Sequence, residues 1–287
     1  PKSELRRVTA VLILRVLLLN APALFYSRKP ETLKHLWSAI IDSKRAIREK
    51  AAETLGTFLL FVHQREHDPK FYMMSLANAE SGLTDLKNES SVHGSLLAIS
   101  QLLRHPRELE NSDIDVKITH ELAQTLRMCM GDKFNQFAQH VLSKSKSSAS
   151  FIQTGVISLI PTLAAFDEVN SHTFAKLYLP VAVDILIDCI KTSTNHEEAF
   201  KALGELGTSI GASIPKVLFD SIIDVICQYF DDGNKPAGVI GNNDAALQAL
   251  AMIVRVAFAG ASSRSAKLST ELVFLVPAMF KSGLSRT

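Results

Sequence analysis

The feature that most constrains the fold of this chain is a small residue followed four positions later by an apolar one, which recurs at long intervals. Residues four positions apart share one face of an α-helix, so each pair marks a helix that lets a neighbour approach closely. The pairs are Ala10/Leu14, Ala51/Leu55, Gly94/Ala98, Gly155/Leu159, Ala199/Leu203 and Ala246/Leu250. Successive small residues lie 41, 43, 61, 44 and 47 positions apart, which predicts a helical repeat.

Four of the five intervals match the roughly 40–47 residues of HEAT and armadillo units. The predicted fold is therefore all-α, an α-α superhelix or HEAT/armadillo-like solenoid of about six helical hairpins over residues 1–287. Inner helices are predicted near residues 4–19, 44–61, 91–104, 149–165, 196–210 and 243–258, with an extra helix near 113–130. Second, amphipathic helices are predicted at 31–41, 71–86, 133–144, 174–191, 215–230 and 271–281. A single hairpin cannot bury its apolar face, so neighbours must stabilise one another.

Composition excludes several classes of protein. Residues are 47% hydrophobic and 21% charged, and the net charge is only +2, so no field of one sign points to nucleic acid. Three widely spaced cysteines predict buried thiols in a reducing compartment, the cytoplasm or the nucleus. The most apolar stretch, residues 8–19, is interrupted by Arg15 and is shorter than the roughly 20 residues of a membrane span. It predicts a core helix and no transmembrane segment.

One motif matches a metal-binding signature. His63, Glu66 and His67 match the H-x-x-E-H signature of zinc proteases, which is the basis of an alternative reading as a zinc hydrolase. Asp68 and Pro69 follow at once, where a rigid site is hard to hold, and no third ligand is evident. The sequence also contains no G-x-S-x-G, Walker A, paired C-x-x-C, H-R-D or D-F-G motif. We therefore predict no catalytic, cofactor-binding or metal-binding residues in this chain.

A basic run opens the second inner helix and consists of Lys44, Arg45, Arg48 and Lys50. A solvated face is the simplest interpretation, and an ion-pair ladder or a partner contact is the alternative. Nucleic-acid binding would require more charge with interleaved aromatic residues. These four residues are the candidate partner-binding residues.

Four segments, in order, carry a family resemblance: residues 42–66 (DSKRAIREKAAETLGTFLLFVHQRE), 92–104 (VHGSLLAISQLLR), 132–166 (DKFNQFAQHVLSKSKSSASFIQTGVISLIPTLAAF) and 199–207 (AFKALGELG). They resemble the N-terminal HEAT region of the target-of-rapamycin (TOR) Ser/Thr protein kinases, of the phosphatidylinositol-3-kinase-related family. The resemblance is strongest over residues 1–210 and loose beyond Asp231. Between the second and third of these segments the family has a longer stretch than residues Arg104–Gly131 of this chain.

The resemblance implies a non-catalytic scaffold segment of a nutrient-responsive kinase, as in TOR complex 1. Its implied partners are a Raptor-like subunit and a second TOR protomer. ATP and Mg²⁺ are expected only for a kinase domain outside this chain, and no cofactor is expected within it. The expected location is the cytoplasm, peripheral on endomembranes through the complex. The alternative function is a HEAT-repeat adaptor without kinase activity, such as a nuclear transport receptor or a chromosome scaffold.

Overall fold

Helices make up nearly all of the structure that a computed structural model describes, which is residues 3–85, 88–111, 116–168, 173–192, 195–210, 215–231 and 243–259. Within these residues there are eleven α-helices and no β-strand. The all-α prediction is therefore confirmed. The helix predicted at residues 271–281 lies outside the described residues.

The chain divides into two compact units between Leu159 and Ile160, inside the seventh helix. The helices up to and including that one are α1 Glu4–Asn20, α2 Lys29–Ile40, α3 Arg45–Glu66, α4 Lys70–Thr84, α5 Glu89–Glu110, α6 Val116–Ser143 and α7 Ser150–Glu168. Short 3₁₀ segments at Pro22–Arg28 and Lys144–Lys146 follow α1 and α6. The later helices are α8 Leu179–Thr192, preceded by a π-helical turn at Phe174–Tyr178, α9 His196–Ile210, α10 Lys216–Asp231 and α11 Asn243–Ala259.

Alternate helices pack on one another within each unit. In the first unit α1 packs on α3 and α3 on α5, while α2 and α4 cover α3 and α5 from a second layer. In the second unit α9 packs on α11, and α8 lies against α9. Inner helices stacked in series, each backed by a second helix, are the packing of a helical repeat.

Small residues that define the repeat lie where helices approach one another closely. Five of the six small/apolar pairs are buried, from Ala51/Leu55 to Ala246/Leu250. At Gly94 in α5, a methyl group would overlap the backbone carbonyl of Ile40 at the end of α2. At Gly204 in α9, a Cβ atom would stand 2.9 Å from the Cα of Ala249 in α11. Glycine at these two positions sets the distance between neighbouring backbones.

Helix α1 departs from this pattern because only one of its sides is covered. Val11 and Leu18 are buried, as expected of a core helix, but Ala10 of the first pair is exposed. Ile13 and four further apolar side chains are also exposed, and the four are Leu5, Leu12, Val16 and Leu19. Their spacing of seven, four and three places them on one face, away from Val11 and Leu18. We name these four residues the α1 stripe.

Helix α6 joins two predicted elements. The extra helix near 113–130 and the helix at 133–144 form one helix of 28 residues. Leu122, Leu126, Met130, Phe134 and Phe137 are buried at intervals of three or four, so one apolar face runs past Gly131 without a break. The stabilisation from burying this continuous face outweighs the low helix propensity of Gly131.

One described helix segment, Ser150–Asp167, is long and apolar enough to cross a membrane. Because 61% of it is buried inside the protein, it has the surroundings of a core helix. Helix α1 and residues Pro22–Ile40 pass the same test only as a pair, and they are bent by 106°. The described residues therefore contain no clear transmembrane span.

The thiols of Cys129 and Cys189 are free and partly buried. Burial raises the pKa of both thiols, which lowers their reactivity as nucleophiles.

The contact at Gly94 generates a stability prediction. Gly94→Ala should lower the free energy of unfolding by about 1–3 kcal/mol, because the backbone carbonyl of Ile40 cannot rotate away from the added methyl group. Gly131→Ala is the matched control, since nothing lies within 4 Å of its Cβ position in α6. It should raise stability by up to about 1 kcal/mol through helix propensity. Urea unfolding followed by circular dichroism measures both, and equal effects of the two substitutions would contradict the close approach.

Candidate partner-binding site

Three of the four predicted partner-binding residues lie on the surface at the start of α3, and each has an acidic neighbour. Lys44 Nζ is 3.5 Å from Glu4 Oε2, and Arg45 Nε donates to Glu49 Oε1 at 2.7 Å. Lys50 Nζ donates to Glu53 Oε1, also at 2.7 Å. The three cations form a row of exposed or half-exposed ion pairs, whose net charge is small.

The fourth residue, Arg48, is buried and is only 2% exposed. Its Nη1 donates to the backbone carbonyls of Asp42 at 2.8 Å and Ser43 at 3.1 Å, and to Ser90 Oγ at 3.2 Å. Its Nε donates to His93 Nδ1 at 3.0 Å. Burial lowers the pKa of the guanidinium, while the nearby Asp42 carboxylate opposes that shift. Arg48 therefore joins α3 to α5 and offers no charge to the surface.

The histidine partner of Arg48 is held neutral. Burial, and secondarily the charge of Arg48, lowers the pKa of His93 to about 3. A neutral ring with a free lone pair on Nδ1 accepts the Arg48 hydrogen bond. The edge of His93 also meets the ring of Phe151 in α7, with centroids 5.3 Å apart, and the Arg48 guanidinium lies 5.2 Å from the same centroid. The first turn of α7 is thus fixed to α3 and α5.

The H-x-x-E-H motif is distributed over three environments. His63 is fully buried, and its Nδ1 lies 2.9 Å from Nε2 of His105 in α5. Glu66 pairs with Lys29, while His67 ends α3 in a left-handed conformation with φ 51°. Among the described residues, no group of three His, Cys, Asp or Glu side chains stands close enough to hold a metal ion.

The His63–His105 pair is a second polar link between α3 and α5. Two neutral rings satisfy this contact when one ring nitrogen donates and the other accepts. Burial lowers the pKa of each, and the neighbouring His63 adds to the effect on His105. Tyr72 in α4 stacks against His105 with centroids 6.1 Å apart, and its hydroxyl donates to the Leu102 carbonyl at 2.9 Å. Burial also raises the pKa of that hydroxyl.

Neither buried link was predicted from the sequence, although the separation of the two residues in each pair indicates it. Arg48 and His93 are 45 residues apart, and His63 and His105 are 42 apart. These separations lie close to the 43 residues between Ala51 and Gly94, so each pair occupies facing positions on neighbouring repeats. Polar residues that recur at this interval indicate a buried pair.

An aromatic and cationic cluster at the end of α3 was also not predicted. Lys29 Nζ lies 3.6 Å from the Tyr26 ring centroid and Arg65 Cζ lies 4.0 Å from it. Glu66 bonds both Lys29 and the Tyr26 hydroxyl, and these bonds lower its pKa. The same carboxylate raises the pKa of Tyr26. The cluster fastens the 3₁₀ segment after α1 to the end of α3.

Comparison with known proteins gives relatives but no matching family model. The chain is 29% identical over 213 residues to "Serine/threonine-protein kinase TOR" of Oryza sativa subsp. japonica, covering 74% of this chain and 8% of that protein. It is 26% identical over 286 residues to the protein of the same name in Arabidopsis thaliana, covering 99% and 10%. "Serine/threonine-protein kinase tor1" of Schizosaccharomyces pombe is 29% identical over 217 residues, covering 75% and 8%.

These matches confirm the resemblance to TOR kinases over most of the chain. The chain spans about a tenth of the length of these relatives or less.

Replacing Arg48 should be far more destabilising than replacing its exposed neighbour. Arg48→Met leaves two backbone carbonyls and His93 Nδ1 without their donor, and we expect a loss of about 3 kcal/mol in the free energy of unfolding. Arg45→Met, which breaks one exposed pair in the same helix, should change it by no more than about 0.5 kcal/mol. Urea titrations of the two variants make the comparison. Similar losses would show that Arg48 is not a structural link.

The neutral histidines make stability dependent on pH. The folded-state pKa values of His63, His93 and His105 lie below the ordinary 6.5, so the stabilisation is complete above pH 6.5 and is lost as pH falls below it. Each such histidine should contribute about 1.4 kcal/mol per pH unit between 6.5 and its folded pKa. Urea unfolding between pH 7.5 and 5 should show a smaller slope for His93→Gln, whereas exposed His35→Gln should leave the slope unchanged. A wild-type slope in His93→Gln would contradict this assignment.

Proposed function

We propose that this chain is a non-catalytic, protein-binding scaffold segment of a TOR-type Ser/Thr protein kinase that controls growth in response to nutrients. The observation that carries the proposal is the similarity of nearly the whole chain to one segment of much longer proteins named TOR kinases. In this role the chain docks a Raptor-like subunit and supports assembly of the complex, including contact with a second TOR protomer.

Rigidity of the stack supports a docking role. Helices that approach closely at Gly94 and Gly204, or that are joined by Arg48–His93 and His63–His105, have little freedom to slide. Binding to such a preorganised surface costs less conformational entropy than binding to a flexible segment, because the surface is already ordered before the partner arrives.

Exposed apolar side chains supply contact area on that rigid support. The α1 stripe includes Leu5, which is 75% exposed, and Leu19, which is 62% exposed. Apolar side chains aligned on one helix face are typical of protein contacts. The ion pairs of Lys44, Arg45 and Lys50 lie on α3, which packs on α1. We assign them to the polar rim of a contact, where charge mainly affects the association rate.

Catalysis is assigned to a kinase domain elsewhere in the same polypeptide, which would bind ATP and Mg²⁺. Cytoplasmic location, with endomembrane association through the complex, belongs to the same proposal. The adaptor alternative differs in one checkable respect, because its gene would encode no kinase domain. Sequencing the downstream coding region should reveal H-R-D-like and D-F-G-like motifs, and their absence would favour the adaptor.

Partner binding is tested by deletion. Removing the segment equivalent to residues 1–287 from the full-length protein should abolish co-purification of the Raptor-like subunit. Phosphorylation of a generic peptide by the immunoprecipitated kinase, measured in parallel, controls for damage to a distant catalytic domain. Unaltered recovery of the subunit after the deletion would overturn the proposed docking role.

The surface cations are tested by charge reversal. We expect Lys44→Glu, Arg45→Glu and Lys50→Glu together to weaken binding of the purified subunit about tenfold, chiefly by slowing association. The control reverses the same number of charges at exposed sites elsewhere, Lys34, Lys117 and Lys146. Surface plasmon resonance at two salt concentrations measures both variants. Equal effects would remove these three residues from the binding site while leaving the docking role itself intact.

A further inference from the structure

A groove separates α8 from α10 in the second unit. It has a volume of about 500 Å³, and its apolar floor is formed by the partly exposed Ile187 of α8 and Leu218 of α10, beside the buried Val183 and Val225. The inner helices α9 and α11 touch closely at Gly204 in the same unit. The outer helices α8 and α10 instead leave a channel in which Ile187 and Leu218 remain partly exposed.

One rim of the groove is a stripe along α8. Val181, Asp184, Asp188 and Lys191 follow one another at intervals of three, four and three residues, so they lie on one face of the helix. Asp184, Asp188 and Lys191 line the groove and are exposed. Val181 is 50% exposed and continues the same face toward the helix N-terminus.

The opposite rim repeats this arrangement on α10. Val217, Ser221, Asp224 and Gln228 lie at intervals of four, three and four residues. Ser221, Asp224 and Gln228 line the groove, and Val217 is 77% exposed one turn before Ser221. Both rims therefore start with an exposed valine and continue with acidic or polar residues.

The charge of the groove restricts what can occupy it. Its lining holds three carboxylates and one lysine, a formal charge of −2, in a chain whose net charge is +2. Nucleic acids and anionic membranes are repelled by such a surface. A cationic protein segment is attracted, and the apolar floor with its two valines requires that the segment be amphipathic.

We infer that this groove docks an amphipathic helix of a partner protein, with an apolar stripe on the floor and Lys or Arg residues facing Asp184, Asp188 and Asp224. The inference rests on the proposed scaffold function and specifies the chemistry of one partner segment. The α8 rim extends over eleven residues, about 15 Å of helix, so a bound helix of ten to fifteen residues matches its length. Binding is geometric and electrostatic, and no reaction is involved.

The direct test uses a synthetic probe with the full 287-residue chain. A 15-residue helical peptide with leucines at positions i, i+3, i+4 and i+7 and lysines on both flanks is compared with the same peptide carrying glutamate in place of lysine. Fluorescence anisotropy measures the two affinities. We expect the lysine peptide to bind at least tenfold more tightly, with an affinity that falls as salt rises. Equal affinities would overturn the inference.

Variants locate the binding site. Asp184→Asn, Asp188→Asn and Asp224→Asn together should weaken the lysine peptide about tenfold. The matched control removes three exposed charges elsewhere, Glu121→Gln, Glu197→Gln and Glu198→Gln, and should change affinity less than twofold. Val181→Ser with Val217→Ser tests the apolar ends, against Ile118→Ser with Met128→Ser, two exposed apolar residues of α6. Equal effects of the groove and control variants would place the peptide outside the groove and overturn the inference.

Self-association is the competing occupant. If the triple Asn variant abolishes a concentration-dependent dimer seen by analytical ultracentrifugation and leaves peptide affinity unchanged, the groove belongs to a second copy and the inference is wrong. A failure of this inference can be distinguished from a failure of the proposed scaffold function. A chain that still recruits the Raptor-like subunit but ignores the lysine peptide retains its scaffold role without this groove.

Discussion

Close backbone approach between helices is the constraint on which the rest of the structure depends. At Gly94 and Gly204 a neighbouring backbone occupies the space that any side chain would need. Such contact maximises dispersion interactions but leaves little tolerance for sliding or rotation. The register of each inner helix is therefore fixed by its smallest residues, and the larger apolar residues one turn away fill the space that this register creates.

The buried polar pairs extend the same constraint. Arg48–His93 and His63–His105 cross from α3 to α5 at the repeat interval, and Tyr72 brings α4 against the second pair. An apolar contact can be satisfied in several registers, whereas a hydrogen bond between two buried rings can be satisfied in one. The apolar face supplies the driving force for stacking, and these few polar atoms specify which stacked arrangement forms.

The helical class could be predicted because spacing along a helix is encoded locally. Ala51 and Leu55 are buried as their spacing implies. The burial of Arg48 could not be predicted in this way. It depends on two hydrogen-bond acceptors, the His93 ring 45 residues away and the backbone carbonyl of Asp42 in the turn before α3. The helices expected near 113–130 and at 133–144 form one helix for a related reason, since burial of Met130 and Phe134 outweighs the low helix propensity of Gly131 between them. The groove between α8 and α10 depends on the distance between the two helices, and the apolar pattern of a single helix does not predict that distance.

The unbroken α6 determines where the chain can change length. Each inserted residue turns everything after it by about 100° around the helix axis, so one insertion between Met130 and Phe134 would rotate Phe134 and Phe137 away from the face that Leu122 and Leu126 bury. Within this part of the chain, single insertions and deletions are therefore expected to be tolerated better outside Val116–Ser143 than inside it.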